Sequence, residues 1–209
     1  MDSADFWKEY PKEPIKTKPN QLAKRVYELT KNFQSKKILD IGVGRSFDPI
    51  FFNKEGYDVT VIDISPNRIK TINEELKLQS ILNVKVILED VRKINFPNQS
   101  FDIIYAHASL HYFNEIETLE VINNLFKILR PNGMIFIQCK STSDSLFGKG
   151  NKLSSNIFES NGRIRHFFTK EFMKKLLNKF KVLELEEIVS EYIGHKGRSA
   201  YIAVIAKKL

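Results

Sequence analysis

The sequence predicts an α/β fold in which helices cover both faces of a mostly parallel sheet. Three observations carry this expectation. From Ile38 onward, short apolar strands alternate with amphipathic helices, a rhythm that requires parallel strands joined by helical crossovers. The strands themselves (ILDI, VKVIL, DIIYA, MIFIQ) are almost continuously apolar, as strands buried on both faces must be. Near the end, two strands follow one another with no helix between them, which points to an antiparallel hairpin at the sheet edge.

Each element follows from local signals. Pro11, Pro14 and Pro19 among charges make the first twenty residues an extended arm or irregular cap. Leu22, Val26 and Leu29 recur at helical spacing between Gln21 and Asn32. Ile38–Ile41 is a strand that enters a glycine turn, and Phe47–Glu55 is a helix closed by Gly56. Val59–Asp63 and Val84–Leu88 are strands flanking a helix over Pro66–Leu78, where Pro66 suits the first turn. Turn residues at Pro97–Ser100 precede a strand over Phe101–Ala106. Ile116, Leu119, Ile122, Leu125, Phe126 and Leu129 then form one stripe of a helix over Glu115–Leu129. Pro131-Asn132-Gly133 ends it, and Met134–Gln138 is the next strand. Thr169 is the natural N-cap of a helix to Asn178, and Val182–Val189 with Tyr201–Ala206 make the hairpin. The whole reads as a single domain over 1–209: an arm or lid (1–20), a core (21–140), and an acceptor-side segment with the hairpin (141–209).

Composition narrows the class. Of 209 residues, 42% are hydrophobic and 28% charged, ordinary for a globular chain. No apolar run approaches the roughly 20 residues that span a bilayer, so a membrane partner is not expected. The N-terminus is acidic and aromatic, unlike a signal peptide. Cys139 is the single cysteine, which excludes an internal disulfide framework and fits a reducing cytoplasm; it is expected to pack in the core. The formal net charge of +8 is spread along the chain. That argues against a nucleic-acid partner while favouring a small, anionic acceptor by raising its local concentration. Nothing in the sequence bears on oligomeric state.

The glycine turn carries the functional signal. In Asp40-Ile41-Gly42-Val43-Gly44-Arg45-Ser46, glycines between a strand and a helix let the backbone approach a ligand beside the helix N-terminus. A dinucleotide fingerprint would need a small residue at position 47, which is Phe47. Asp40 would also repel a pyrophosphate there, whereas an ammonium or sulfonium would be welcomed. Asp63 ends the second strand, 21 residues beyond Gly42, where a carboxylate accepts hydrogen bonds from ribose hydroxyls; its alternative is to cap the helix at Pro66. Asp90 follows the third strand, at the crevice, and either reads an adenine amino group or serves as a turn carboxylate.

The ordered series ILDIGVGRS, VTVIDIS, EDV, FDIIYAHASLHYF and LRPNGMIFI resembles the class I S-adenosylmethionine-dependent methyltransferases over about Ile38–Lys140. The segments KSTSDSLFGKG and RIRHFFTKEF, with the C-terminal ending, are similar to a small tellurite-resistance-like group of these enzymes. The resemblance implies a Rossmann-like αβα sandwich whose seven strands run 3-2-1-4-5-7-6, strand 7 antiparallel. It implies S-adenosyl-L-methionine as cofactor, with Asp40, Gly42, Val43 and Gly44 lining its methionine part. Asp63 would hold the ribose, Ile64 would lie against the adenine, Asp90 and the Val91 N–H would read the adenine edge, and His107 would sit near the methionine end. The third family glycine is Ser46 here.

The function expected is methyl transfer to a small-molecule acceptor without a metal, since no His/Cys/Asp/Glu set has metal spacing. An RNA or protein acceptor, and a non-catalytic module of the same fold, stand as alternatives. Candidate bases are His107, His111 and His166, and Arg165 would present a cation to an anionic acceptor. Phe6–Tyr10 is a candidate aromatic lid; Tyr192, His195 and Lys196 are candidates at the acceptor border.

Overall fold

The structure, a computed structural model, describes residues 3–191 and 197–209. Tyr192, His195 and Lys196 lie outside the described residues. Strands β1 (Lys37–Ile41), β2 (Asp58–Asp63), β3 (Lys85–Leu88), β4 (Phe101–His107) and β5 (Leu129–Lys140) come first. Short strands β6 (Asn151–Lys152), β7 (Ile157–Ser160) and β8 (Arg163–His166) follow, then β9 (Phe180–Glu191) and β10 (Arg198–Lys208). The helices are α1 (Ser3–Lys8), α2 (Gln21–Thr30), α3 (Asp48–Lys54), α4 (Pro66–Leu78), α5 (Glu115–Ile128) and α6 (Lys170–Leu176).

The large sheet has seven strands in the order β3-β2-β1-β4-β5-β10-β9. β1 to β5 pair in parallel, and β10 runs antiparallel to both β5 and β9. Counted within this sheet, the order is 3-2-1-4-5-7-6. The chain numbering departs from that because β6–β8 intervene and form their own three-stranded sheet. The sequence reading had no strands in this stretch.

Strands β1 to β5 and β10 each feed two cores, because neighbouring side chains point to opposite faces. Ile38, Ile103 and Ile205 pack with α2, α3 and α4, whereas Leu39, Ile104 and Val204 pack with α5 and α6. Cys139 is fully buried in the second of these cores. Full burial of one such aliphatic side chain contributes about 1.5–3 kcal/mol, so these two layers fix the sheet and hold its carboxyl edge in place.

Capping sets the helix starts. The Asn20 side chain accepts from Ala23 N at 2.9 Å and begins α2. Ser65 caps α4, ahead of Pro66. Asn114 and Glu117 form a reciprocal capping box at α5, and Thr169 caps α6. The arm differs from its sequence expectation: Ser3–Lys8 is helical, and only residues 9–20 are irregular. Tertiary contacts account for this, since Ser3 Oγ accepts from Ile164 N at 2.8 Å and Trp7 packs edge-on to Tyr112 at 4.7 Å. Among the described residues, no helix is long and apolar enough to cross a membrane.

Candidate functional site

The carboxyl ends of β1 to β4 open onto a cleft of about 510 Å³. Brought together on its wall are Asp40, Gly42, Val43, Gly44, Asp63, Ile64, Asp90, Val91 and His107. Their placement follows from topology, because a crevice forms where chain connections leave a parallel sheet in opposite directions.

The turn after β1 needs its glycines. Gly42 has φ +77°, and a Cβ there would meet the Ser109 Cβ at 2.6 Å. Gly44 also has positive φ, +52°. Position 46 tolerates serine because its hydroxyl finds a role: Ser46 Oγ accepts from Asp48 N at 3.1 Å at the start of α3. Phe47 packs beside the core that α2, α3 and α4 share.

Asp40 is 1% exposed, and its Oδ2 has no hydrogen-bond partner. Burial pushes its carboxyl well above the usual carboxylate range, and the nearby Asp48 and Asp63 push it further. An unpartnered buried acid in a cleft is costly unless a ligand supplies the missing cation or donor. A ligand ammonium would meet that need. With the two glycines that keep the backbone open, Asp40 therefore fits a cofactor carrying a positively charged amino acid portion.

Asp63 accepts from Gly44 N at 3.2 Å through Oδ2 and from Ser65 N at 2.8 Å through Oδ1. Burial raises its pKa, and those two N–H bonds pull against the rise. The helix cap is Ser65, so Asp63 braces the glycine turn without capping α4. Asp90 is more heavily committed. Arg92 Nη2 donates to its Oδ2 at 2.6 Å, Arg92 Nε to its Oδ1 at 3.1 Å, and Arg92 Nη1 to Glu117 at 2.6 Å. Its carboxylate thus faces a guanidinium within its own turn.

His107 is half-buried at the end of β4, and desolvation lowers its pKa. The other two histidines are not brought to the cleft. His111 and His166 are each 1% exposed and lie off its wall. Burial holds His111 well below its ordinary pKa, helped by Lys140 and Arg165. His166 is pushed down to about 4 by burial, against a backbone hydrogen bond at Phe113, and packs between Phe168 and Phe172 at 4.6 Å from each. Neither histidine is placed to take a proton from a molecule in the cleft.

Several wall residues escaped the sequence reading. Asp48 is fully buried and accepts from Asn20 N at 2.9 Å through Oδ1, while its Oδ2 accepts from the Tyr105 hydroxyl at 2.7 Å and from the Asn20 side-chain amide. This group closes the floor next to Asp40. At the rim, Glu13 pairs with Arg68 and stands 3.7 Å from Arg45. Arg45 Nε also donates to Pro14 O at 3.1 Å, and Asn67 Nδ2 to Tyr10 O at 2.7 Å. The arm is therefore tied across the cleft edge, and α1 brings Trp7 over it.

Comparison with known proteins places this geometry. Residues 38–133 match a family described as a methyltransferase domain. The mitochondrial arginine-hydroxylase NDUFAF5 of Rattus norvegicus is 27% identical over 140 residues, covering 66% of this chain and 37% of that protein. A probable S-adenosyl-L-methionine-dependent methyltransferase, TehB of Haemophilus influenzae (strain 10810), is 27% identical over 109 residues, covering 52% and 37%. The chain thus spans little more than a third of the length of these relatives. Among solved structures, a SAM-dependent methyltransferase from Methanosarcina mazei superposes with a TM-score of 0.72 at 20% identity, covering 87% of this chain and 96% of that one.

Proposed function

We infer that the chain carries a class I S-adenosylmethionine-dependent methyltransferase domain similar to the tellurite-resistance-like group, and that it methylates a small-molecule acceptor held in the cleft under the N-terminal arm. The observation that carries the reading is the buried, unpartnered Oδ2 of Asp40 beside the Gly42–Gly44 turn. That carboxylate would take the cofactor's ammonium, and the open turn would admit its backbone.

The chemistry that S-adenosylmethionine would supply when bound there is a methyl group made electrophilic by its sulfonium, open to in-line attack by an acceptor lone pair with S-adenosylhomocysteine as the leaving group. The protein's own part is to hold, orient and dehydrate. Asp63 would accept from the ribose hydroxyls while keeping the turn shaped through Gly44 N. Ile64 and Val91 would flank the adenine, and the Val91 N–H, with Asp90 beside it, would address the adenine edge. His107 would border the methionine end. Trp7 and Tyr112 exclude water above the reacting atoms, and proximity of the two partners can supply much of the acceleration. Of the three candidate bases, His107 lines the cleft, whereas His111 and His166 lie off its wall; an acceptor that must lose a proton would give it to His107. A small acceptor is supported by the arm, which closes over the cleft and leaves little room for a macromolecule.

The test is calorimetric titration with S-adenosylhomocysteine. Saturable binding in the micromolar range is expected, weakened at least tenfold in Asp40→Asn. No binding at hundreds of micromolar would sink the reading.

A further inference from the structure

The cleft wall is chemically lopsided. The acids on it, Asp40, Asp48, Asp63, Glu89, Asp90 and Glu13, come from the ends of β1 to β3, the start of α3 and the arm. The wall residues contributed by α1, by the turn before α5 and by β8 include no acid. They present donors instead. Trp7 Nε1, Ser109 Oγ and Arg163 Nε are all buried and all lack a hydrogen-bond partner. Buried donors left unpaired are costly; three among the residues of one cleft amount to a site waiting for an acceptor atom.

Arg163 sharpens the point. Its guanidinium lies 4.7 Å from the Phe6 ring, and among the described residues it makes no ion pair. Arg165 follows two positions later on β8, so both guanidinium-bearing residues share one face of the strand. Arg165 is half-buried, with its pKa depressed first by desolvation and then by Arg163. The carboxylate that acts on the pair, Asp144 near Arg165, is already paired with Lys140, so Arg163 is compensated best by an added anion. The space beside them is walled by flat rings: Trp7 stands 4.7 Å from Tyr112 and 5.1 Å from Tyr10.

We propose that this half of the cleft is the acceptor subsite for an aromatic acid, whose ring lies against the Trp7–Tyr112 pair and whose carboxylate is taken by Arg163, with the Trp7 N–H and Ser109 hydroxyl donating to its oxygens. The inference rests on the methyltransferase reading and deepens it. Guanidinium suits a planar carboxylate, since its forked donors match two oxygens at once, and offset or edge-on aromatic packing adds to ring burial.

The experiment titrates wild-type protein saturated with S-adenosylhomocysteine with the three monohydroxybenzoates and, separately, with their neutral amides. At least one acid is expected to bind about tenfold or more tightly than its amide, the scale of a charge-assisted pair. In Arg163→Met that preference should fall to within about twofold, with affinity for S-adenosylhomocysteine unchanged. Trp7→Phe, which keeps a ring and deletes the N–H, should reduce it severalfold and serves if Arg163→Met does not fold. Equal binding of acid and amide for every isomer, no binding of any acid, or full preference retained in a folded Arg163→Met variant would each overturn the proposal. Titration of unliganded protein with S-adenosylhomocysteine separates the two failures: if it binds and the acids do not, only the acceptor assignment falls.

Discussion

At the scale of single residues, the donor end of the cleft depends on side chains whose partners are close in sequence. Asp63 reaches Gly44 and Ser65, and the glycine turn lies between β1 and α3, so this part was legible from spacing alone. Asp63→Ala should weaken S-adenosylhomocysteine binding by about 1–3 kcal/mol, the scale of a lost charged hydrogen-bond partner; unchanged affinity by calorimetry would refute its ribose role. The Asp48 group was not legible, because Asn20 and Tyr105 come to it from 28 and 57 residues away, and no local pattern encodes such a meeting. The histidines were misjudged for a related reason. Periodicity places His111 near the sheet top but cannot say that packing seals it. His166 makes this measurable. Its folded pKa, about 4, lies below the ordinary value near 6.5, so the unfolded chain binds the proton more readily. Stability should therefore fall as pH drops from about 6.5 toward 4, by up to about 3 kcal/mol for this group. Denaturant titrations at several pH values should show His166→Gln with a shallower slope than wild type.

At the scale of elements, the strands and helices of the core announced themselves by apolar runs and stripes, whereas β6, β7 and β8 did not. Two to four residues long, with Arg163 and Arg165 on the last of them, they show no alternation long enough to read. α1 was hidden too, since its helix is held by docking onto β8 more than by propensity. The arm offers the sharpest element-level test. Arg68 is 5% exposed at its side chain, so removing Glu13 leaves a nearly buried cation without its partner. Glu13→Ala should loosen the arm by about 1–3 kcal/mol. Limited trypsin digestion should then cut faster at Lys12 and Lys16, and the variant should release S-adenosylhomocysteine faster. Unchanged digestion would show that the aromatic contacts of α1 suffice.

At the scale of the whole molecule, both cores share β1 to β5 and β10, so we expect the chain to unfold as one domain. Calorimetry should record a single transition, raised by about 5–10 °C when S-adenosylhomocysteine is present at a hundred times its dissociation constant; two separable transitions would contradict this. The small sheet bears on something else. Residues 142–167 leave the large sheet after Ser141 and return at Phe168, and those two residues bridge one another. An excursion that departs and lands at one point is a cassette: it can be exchanged between relatives without disturbing the register of β5 against β10. Replacing this excursion should therefore change the proposed acceptor subsite while leaving in place the residues proposed to hold the methyl donor.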